Sequence, residues 1–162
     1  MAETQLDVAG LVRRWYDDIQ SRRDVTAVEE IVHPDFVQHH PGGGTTYGSE
    51  SIKQFLAWSG AVFVDPHWDV EDLIVAGDKV VVRARGESQY EGGWHNIPSK
   101  GQRIVETCIN IFRIEDRKIR ESWYEVSDLD VAYQLSAFPS QQTPSESGDE
   151  VEQQTGALSC EH

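Results

Sequence analysis

Apolar residues in the first part of the chain recur at helical spacing. Residues 4–20 place an apolar side chain every three or four positions, which predicts a long amphipathic helix. Asp24 is a helix-capping residue before a second apolar stretch, so we expect a short helix that ends before the turn-prone His33-Pro34 pair. The apolar positions are Leu6, Ala9, Leu11, Val12, Trp15, Tyr16 and Ile19 in the first helix, and Val25, Val28, Ile31 and Val32 in the second.

An extended piece, a glycine-rich loop and a third helix follow. Residues 36–40 are predicted to be extended, and the run from Pro41 through three glycines must form a loop. Ser49 can begin the third helix, whose end we expect near Gly60. Its inward-facing positions are Ile52, Phe55, Leu56 and Ser59.

From Pro66 the apolar period changes to two, which is the spacing of β-strands. Four strand-like runs occupy residues 67–75, 79–90, 102–114 and 118–126. Turn sequences around Gly77 and Asp116 join the outer pairs, and residues 91–101 form a longer connection, so we expect antiparallel hairpins. Ser127 can cap a closing helix.

The composition changes abruptly after Phe138. Residues 139–162 contain five acids and no Lys or Arg, and they are mostly Gln, Ser, Thr and Gly, which predicts a disordered acidic tail. The chain therefore divides into a folded domain over residues 1–138 and a tail over 139–162. Helices followed by a long sheet are typical of the α+β class, here a cone-shaped curved antiparallel sheet covered by the N-terminal helices. Such a sheet leaves a cavity, which is the default ligand site.

Length, charge and cysteine content exclude several classes of protein. The 162 residues suit one domain, and 28 Asp plus Glu against 14 Lys plus Arg disfavour nucleic-acid binding. No stretch approaches the roughly 20 apolar residues of a membrane helix, and the acidic start lacks the apolar core of a secretory signal, so we expect a cytoplasmic protein. The acidity fits a halophilic cytoplasm or an ordinary acidic protein, and both interpretations stay open.

Acidic residues within apolar strand patterns are the first candidates for chemistry. Alternation places Ile119, Glu121 and Trp123 on one face, and burial of that face would raise the pKa of Glu121 towards that of a general acid or base. An ion pair between Glu121 and an arginine on a neighbouring strand is the alternative. In the preceding strand, a Glu and Asn110 lie in an apolar row, as cavity or as interface residues. That row is Ile104, Glu106, Cys108, Asn110 and Phe112.

Histidines, tryptophans and one aspartate give further candidates. Of the adjacent His39 and His40, one can donate to a substrate oxygen or move a proton near pH 7, although a structural role is equally open. Trp94 can form a cavity rim or pack in the core. Asp128 follows the expected cap of the last helix and can act as an ionised base or only stabilise the helix start. No spacing of His or Cys indicates a metal site, and no motif indicates covalent catalysis or nucleotide chemistry.

The order of short motifs resembles the SnoaL-like polyketide cyclases, also called ester cyclases, of the nuclear-transport-factor-2-like superfamily. The resemblance covers residues 6–138. It implies a cone-shaped α+β barrel, a dimer or tetramer assembled through the sheet, and ring closure by aldol chemistry with an Asp or His and no cofactor. The family's acid position falls on Ser127, one residue before Asp128. The motifs are His40-Pro41, Phe63-Val64-Asp65, Gly77-Asp78-Lys79-Val80, Ile97-Pro98-Ser99 with Gly101, residues 111–116, Lys118-Ile119 with Glu121 and Trp123, and Gln134-Leu135.

These observations predict a protein that binds an apolar or polycyclic small molecule and acts as a cofactor-free cyclase or isomerase. We expect Asp128 to be the base, with Glu121 as the second choice, and His40 with Asn110 to polarise a carbonyl group. The remaining predicted substrate contacts are Trp123, Trp94, His39 and Tyr16. A non-catalytic ligand-binding or dimerisation domain is the alternative, and an enzyme requires that at least two of the polar candidates converge in one cavity.

Overall fold

The computed structural model describes residues 2–138, with side chains from residue 8 onward. The predicted acidic tail, residues 139–162, lies outside the described residues. The helices are α1 (Ala2–Arg14), α2 (Val25–Ile31), α3 (Glu50–Val62) and α4 (Asp128–Gln134), and a π-helical segment, Trp15–Ser21, continues α1. The strands are β1 (Val32–His39), β2 (Thr45–Tyr47), β3 (Phe63–Ala76), β4 (Lys79–Tyr90), β5 (Arg103–Glu115) and β6 (Lys118–Val126).

The six strands form one curved, unclosed sheet in the order β2-β1-β6-β5-β4-β3. The four long strands β3 to β6 pair antiparallel, as the sequence predicts. β1 pairs parallel with β6 and antiparallel with β2, so the sheet is mixed rather than purely antiparallel. The α+β class and the curved sheet covered by helices are confirmed.

The helices cover the inner face of the sheet and bury a mainly aliphatic core that contains several aromatic rings. Trp15, Tyr16 and Ile19 of the π-helical segment are each 3% exposed or less. The Trp15 ring packs against Phe112 of β5 with centroids 5.4 Å apart, and Tyr16 meets the same ring edge-on at 6.4 Å. A π-helical turn changes the spacing of side chains along the helix, and such turns are frequent at functional sites. Here two consecutive aromatic rings contact the same side chain of the sheet.

Several predicted boundaries change for local reasons. α3 continues past Gly60 to Val62, because the Arg23 guanidinium donates hydrogen bonds to the Ser59 and Phe63 carbonyl oxygens at its end. Phe55, expected to face inward on α3, is 44% exposed. β3 begins at Phe63 rather than at residue 67, and a register shift between Val64 and His67 accommodates the proline in this stretch. The short strand β2 was not predicted.

The start of α4 is fixed to the sheet by a reciprocal pair of hydrogen bonds. Ser127 occupies the predicted cap position, but its hydroxyl accepts from the Thr107 backbone N–H at 2.9 Å rather than from the helix. The Ser127 N–H donates in turn to the Thr107 carbonyl oxygen at 3.0 Å. Within residues 2–138, no helix has the length and apolar character needed to cross a membrane.

Candidate functional site

The predicted cavity is present between the inner face of the sheet and the helices. Its volume is about 460 Å³. Phe55 and Trp58 of α3 line it and are nearly half exposed, so they lie at its rim. The cavity contains no Lys or Arg among the described residues. Its aromatic lining consists of Trp15, Tyr16, Phe55, Trp58, Phe63, Trp68, Trp94 and Tyr124.

Two carboxyl groups, those of Glu106 and Asp128, face this cavity. Glu106 lies on the inner face of β5, and Asp128 is the first residue of α4, which Ser127 attaches beside Thr107. Burial, together with the nearby charge of Asp128, raises the pKa of Glu106 to about 7. Partial burial also raises the pKa of Asp128, against the effect of His95. Within residues 8–138, neither carboxyl group accepts a hydrogen bond or forms an ion pair.

Asp128 is the more exposed of the two carboxyl groups. It also lines a neighbouring groove of about 740 Å³ between α4 and the connection from β4 to β5. Trp94 lines both spaces, which favours the rim over the core among the two interpretations left open, and it packs against Phe63 with ring centroids 6.3 Å apart. Because burial disfavours the charged form of a carboxyl group, the better-hydrated Asp128 ionises more readily than Glu106.

His40 lines the cavity and is held between two hydroxyl groups. Its Nδ1 is 2.7 Å from the Tyr124 hydroxyl of β6, and its Nε2 is 3.0 Å from the Thr46 hydroxyl of β2. The His40 backbone N–H donates to the Gly44 carbonyl oxygen at 2.8 Å, which closes the glycine-rich loop. Both ring nitrogens are therefore occupied by the protein.

A second cluster of polar side chains surrounds Tyr16, near the start of the π-helical segment. Asn110 Nδ2 donates to the Tyr16 hydroxyl at 2.5 Å and lies 3.7 Å from Cys108 Sγ. Burial raises the pKa of the Cys108 thiol to about 11, so it stays protonated at neutral pH and is no nucleophile. The expectation that Asn110 and Tyr16 lie in the cavity agrees with the structure.

The expected placement of Glu121 and Trp123 beside Ile119 is wrong. A register shift in the pairing of β5 with β6 sets Ile119 opposite Ile114 but Glu121 opposite Arg113, on the other face of the sheet. Such a bulge reverses the alternation of side chains that follows it. Glu121 and Trp123 consequently lie on the outer face, away from the cavity lining.

On the outer face, Glu121 is paired as the alternative interpretation predicts. It accepts hydrogen bonds from Arg113 Nε at 2.8 Å and from His39 Nε2 at 2.9 Å. Some burial opposes ionisation, but the two hydrogen bonds prevail and lower the pKa of Glu121. The His39 ring stacks on Trp123 with centroids 5.0 Å apart. Glu121, His39 and Trp123 thus form an outer-face cluster that does not reach the cavity.

Sequence reasoning left Glu106 open between a cavity and an interface, and it did not single out Tyr124. An acid in the apolar row of β5 marked Glu106, but the same pattern also fitted an interface. Tyr124 was hidden because the bulge places it, rather than Trp123, on the inner face opposite Asn110. Of the predicted residues, the cavity brings together Asp128, His40, Asn110, Trp94 and Tyr16. No cluster of three or more His, Cys, Asp or Glu side chains that could hold a metal ion occurs in the described part of the chain.

Solved structures similar to this chain share its architecture. TsrD from Streptomyces laurentii is 26% identical, with a TM-score of 0.73 over 82% of this chain and 97% of that chain. A protein from Jannaschia sp. CCS1, assigned as a SnoaL-like polyketide cyclase, is 26% identical, with a TM-score of 0.74 over 83% and 94%. A protein with a ketosteroid isomerase-like fold from Catenulispora acidiphila, 20% identical with a TM-score of 0.66 over 83% and 97%, shows the fold alone.

No curated protein matches the chain. The family model for the SnoaL-like polyketide cyclase, in contrast, matches residues 10–135. This match runs from the last residues of α1 to α4 and includes the whole sheet, so it contains every residue that lines the cavity. The chain belongs to the SnoaL-like polyketide cyclase family, and its fold is that of the nuclear-transport-factor-2-like superfamily.

Proposed function

We propose that this protein is a cofactor-free cyclase or isomerase that moves a proton at the carbon next to a carbonyl group of an apolar small molecule. The observation that carries this proposal is the pair of carboxyl groups, Glu106 and Asp128, in an aromatic cavity with no Lys or Arg among its described lining residues. Groups with perturbed pKa values in an enclosed cavity are candidates for acid–base catalysis. Membership of the cyclase family supports the same reaction class.

The two carboxyl groups take different roles because their environments differ. Glu106 has a pKa of about 7 and holds its proton in a large fraction of molecules at neutral pH, whereas the more exposed Asp128 ionises more readily, although burial raises its pKa as well. Asp128 is therefore the base that removes the α-proton and leaves an enolate. In an isomerisation of an unsaturated ketone, Glu106 returns a proton to the γ-carbon of the conjugated enolate, so that the double bond moves. In a cyclisation, the enolate carbon forms a bond to a second carbonyl carbon, and the resulting alkoxide oxygen takes the proton of Glu106.

The cavity also defines the class of substrate. Its aromatic rings favour a flat or polycyclic body, and Phe55 with Trp58 at the rim can contact a part of the ligand that extends out of the cavity. Two acids in a cavity whose described lining contains no Lys or Arg repel an anionic ligand. We therefore expect the protein to bind a neutral ketone or ester more tightly than the corresponding free acid.

The test is turnover of polyketide methyl esters by wild type and by Asp128→Asn and Glu106→Gln variants. General acid–base groups typically contribute 10²- to 10⁴-fold, so each substitution should lower kcat by at least about 100-fold. Asp130→Asn, on the same helix but with its side chain exposed and bonded to Gln134, is the matched control and should retain wild-type activity. Wild-type rates in Asp128→Asn would overturn the assignment of the base.

A second measurement separates catalysis from simple binding. Incubation of the protein with a bound ketone in deuterium oxide should incorporate deuterium at the α-carbon, because proton removal precedes either reaction. The rate of turnover should have a bell-shaped pH dependence, since the base must be ionised and the acid protonated. Tight binding of ketones and esters with no deuterium incorporation would instead support the alternative, a non-catalytic binding domain.

A further inference from the structure

We propose that the Tyr124 hydroxyl is the hydrogen-bond donor to the substrate carbonyl oxygen, and that His40 is a positioning residue that acts through it. This inference rests on the proposed function, because it names a group that would stabilise the enolate. Neither Tyr124 nor this role for His40 followed from the sequence. Two hydrogen bonds and one ring contact link Thr46 of β2, His40 directly after β1, and Tyr124 of β6.

His40 cannot itself bind a carbonyl group in this arrangement. Its two ring nitrogens are 2.7 Å from the Tyr124 hydroxyl and 3.0 Å from the Thr46 hydroxyl. The His40 and Tyr124 rings meet edge-on, at 74° and 5.5 Å between centroids. A neutral imidazole has one donor and one acceptor nitrogen, so both are used by these two hydroxyl groups. The imidazole orients its neighbours and leaves no nitrogen for a ligand.

Tyr124 lies where a donor to the substrate is needed. It lines the cavity beside Asn110, its partner across the strands, and it is less buried than Tyr16. Burial raises the pKa of Tyr124 to about 12, and the negative charges of Asp128 and Glu106 act in the same direction. The hydroxyl therefore keeps its proton at neutral pH. Tyr124 lines the same cavity as Asp128 and Glu106, so a carbonyl group bound to Tyr124 lies in the space that both carboxyl groups face.

One tautomer of His40 frees the Tyr124 proton for the ligand. If Nδ1–H donates to the Tyr124 oxygen, Nε2 accepts from the Thr46 hydroxyl, and the Tyr124 O–H points to the cavity. Each group then accepts from one neighbour and donates to the next, so each hydrogen bond strengthens the following one. Tyr16 is less suited to this role. The residue is only 1% exposed, and its hydroxyl already contacts Asn110 and Cys108.

The experiment uses 2-acetonaphthone, a flat aromatic ketone, with an isotope-labelled carbonyl group, and infrared difference spectroscopy of the bound ketone. In wild type, the carbonyl stretch should lie below its frequency in an apolar solvent. In Tyr124→Phe, the shift should be lost and the Kd should rise about 2- to 10-fold, the effect of one hydrogen bond. Tyr47→Phe, at a 73% exposed tyrosine, is the matched control and should leave both values unchanged.

Thr46→Val tests the positioning role without changing Tyr124. Without the Thr46 hydroxyl, the tautomer of His40 is no longer fixed. The carbonyl shift should therefore become smaller but persist, with little change in Kd. A purely structural role for Thr46 and His40 would leave the frequency unaltered. This variant also tests the chain of hydrogen bonds if Tyr124→Phe does not fold.

The outcomes separate this inference from the proposed function. Three results would each overturn the assignment of Tyr124. The first is an unshifted carbonyl band in wild type, and the second is a shift in ketone-bound Tyr124→Phe equal to that in wild type. The third is a failure of wild type to bind 2-acetonaphthone. Asp128→Asn should keep the shifted band and lose deuterium exchange at the methyl group of the ketone. A shifted band that depends on Tyr124, combined with no exchange in wild type, would contradict the proposed reaction but support the donor.

Discussion

Two glutamates on neighbouring strands, Glu106 of β5 and Glu121 of β6, have opposite properties because they lie on opposite faces of one sheet. Glu106 faces the cavity with no cationic partner among the described residues, and its pKa is raised to about 7. Glu121 faces outward between Arg113 and His39, and its pKa is lowered. The residue type is the same, so the difference comes from the surroundings alone.

The same contrast extends over the two faces. On the outer side, Arg83 pairs with Glu71 and Asp72, and Arg85 pairs with Glu87. On the inner side, Glu106 and Asp128 have no such partners among residues 8–138, and hydroxyl and amide groups bond to one another instead. Unpaired carboxyl groups in an enclosed space destabilise a fold, and natural proteins keep such features mainly at functional sites. The contrast between the faces thus supports the inner face as the site of chemistry.

The largest expected effect compares packing on the two faces of β5. Phe112 is fully buried against Trp15 and Tyr16, so Phe112→Ala should lower the free energy of unfolding by about 3–5 kcal/mol. Ile109, on the opposite face of the same strand, is 53% exposed, and Ile109→Ala should cost less than about 1 kcal/mol in a monomer. Urea denaturation of both variants measures the difference.

The same pair of variants tests assembly through the sheet, which the family resemblance implies. If two copies pack their outer faces together, Ile109 becomes buried, and the loss of stability in Ile109→Ala should depend on protein concentration. Sedimentation of wild type and Ile109→Ala would then give different masses. Equal masses and a small, concentration-independent loss would contradict a dimer at this position.

The second prediction concerns the pH dependence that Glu106 imposes on stability. The pKa of Glu106 is about 7 in the folded protein, against the ordinary value of 4.5 for a hydrated Glu side chain. The folded protein therefore binds this proton more tightly than the unfolded chain does. Stability therefore falls as the pH rises from about 4.5 to 7, by about 3 kcal/mol in total. Glu106→Gln lacks this loss and should be more stable than wild type at pH 8 but similar to it at pH 4.5, as measured by urea denaturation. Equal stability at pH 8 would contradict the raised pKa.

The third prediction has the opposite sign and concerns Glu121. Because its pKa is lower in the folded protein, Glu121 stabilises the fold above about pH 4.5, and this contribution is lost as the pH falls through the lowered value. Glu121→Gln should therefore cost about 1 kcal/mol at pH 7, the usual scale of a charge-assisted hydrogen bond at a partly exposed site, and nothing in strong acid. Glu125→Gln, at an exposed position of the same strand, is the control. A loss that stays constant with pH would point to packing rather than charge.

The order of elements could be predicted from the sequence because each has a strong local signal. Asp24 accepts a hydrogen bond from the Thr26 backbone N–H at 2.9 Å, as its capping role requires, and α2 follows it. β4 and β6 occupy the predicted residues, since their apolar period and turn sequences agree. β2, with three residues, is too short to produce a period, and its pairing with β1 depends on the loop between them.

The site could be predicted only in part, because its residues are brought together by tertiary structure. Asp128 and His40 were identified by their positions at element ends, where polar side chains can turn into a cavity. The sequence places Glu121 and Trp123 on the wrong face because one bulge changes the alternation of β6, and nothing in the sequence of that strand marks it. The role of Glu106 could not be assigned from the sequence, because the pattern of β5 does not show whether its inner face borders a cavity or an interface.

The smallest expected effect concerns the outer-face residue Trp123, which was predicted to shape the cavity. Lys79 Nζ lies 5.4 Å from its ring centroid, within the range of a cation–π interaction. In a double-mutant cycle of Lys79→Gln with Trp123→Leu, we expect a coupling energy of about 0.5 kcal/mol, the scale of such contacts at exposed sites. Lys79→Arg, which keeps the cation, should retain most of it. Because the contact lies outside the cavity, Lys79→Gln should also leave the Kd for 2-acetonaphthone unchanged, whereas a weaker affinity would mean that the two faces of the sheet are energetically coupled.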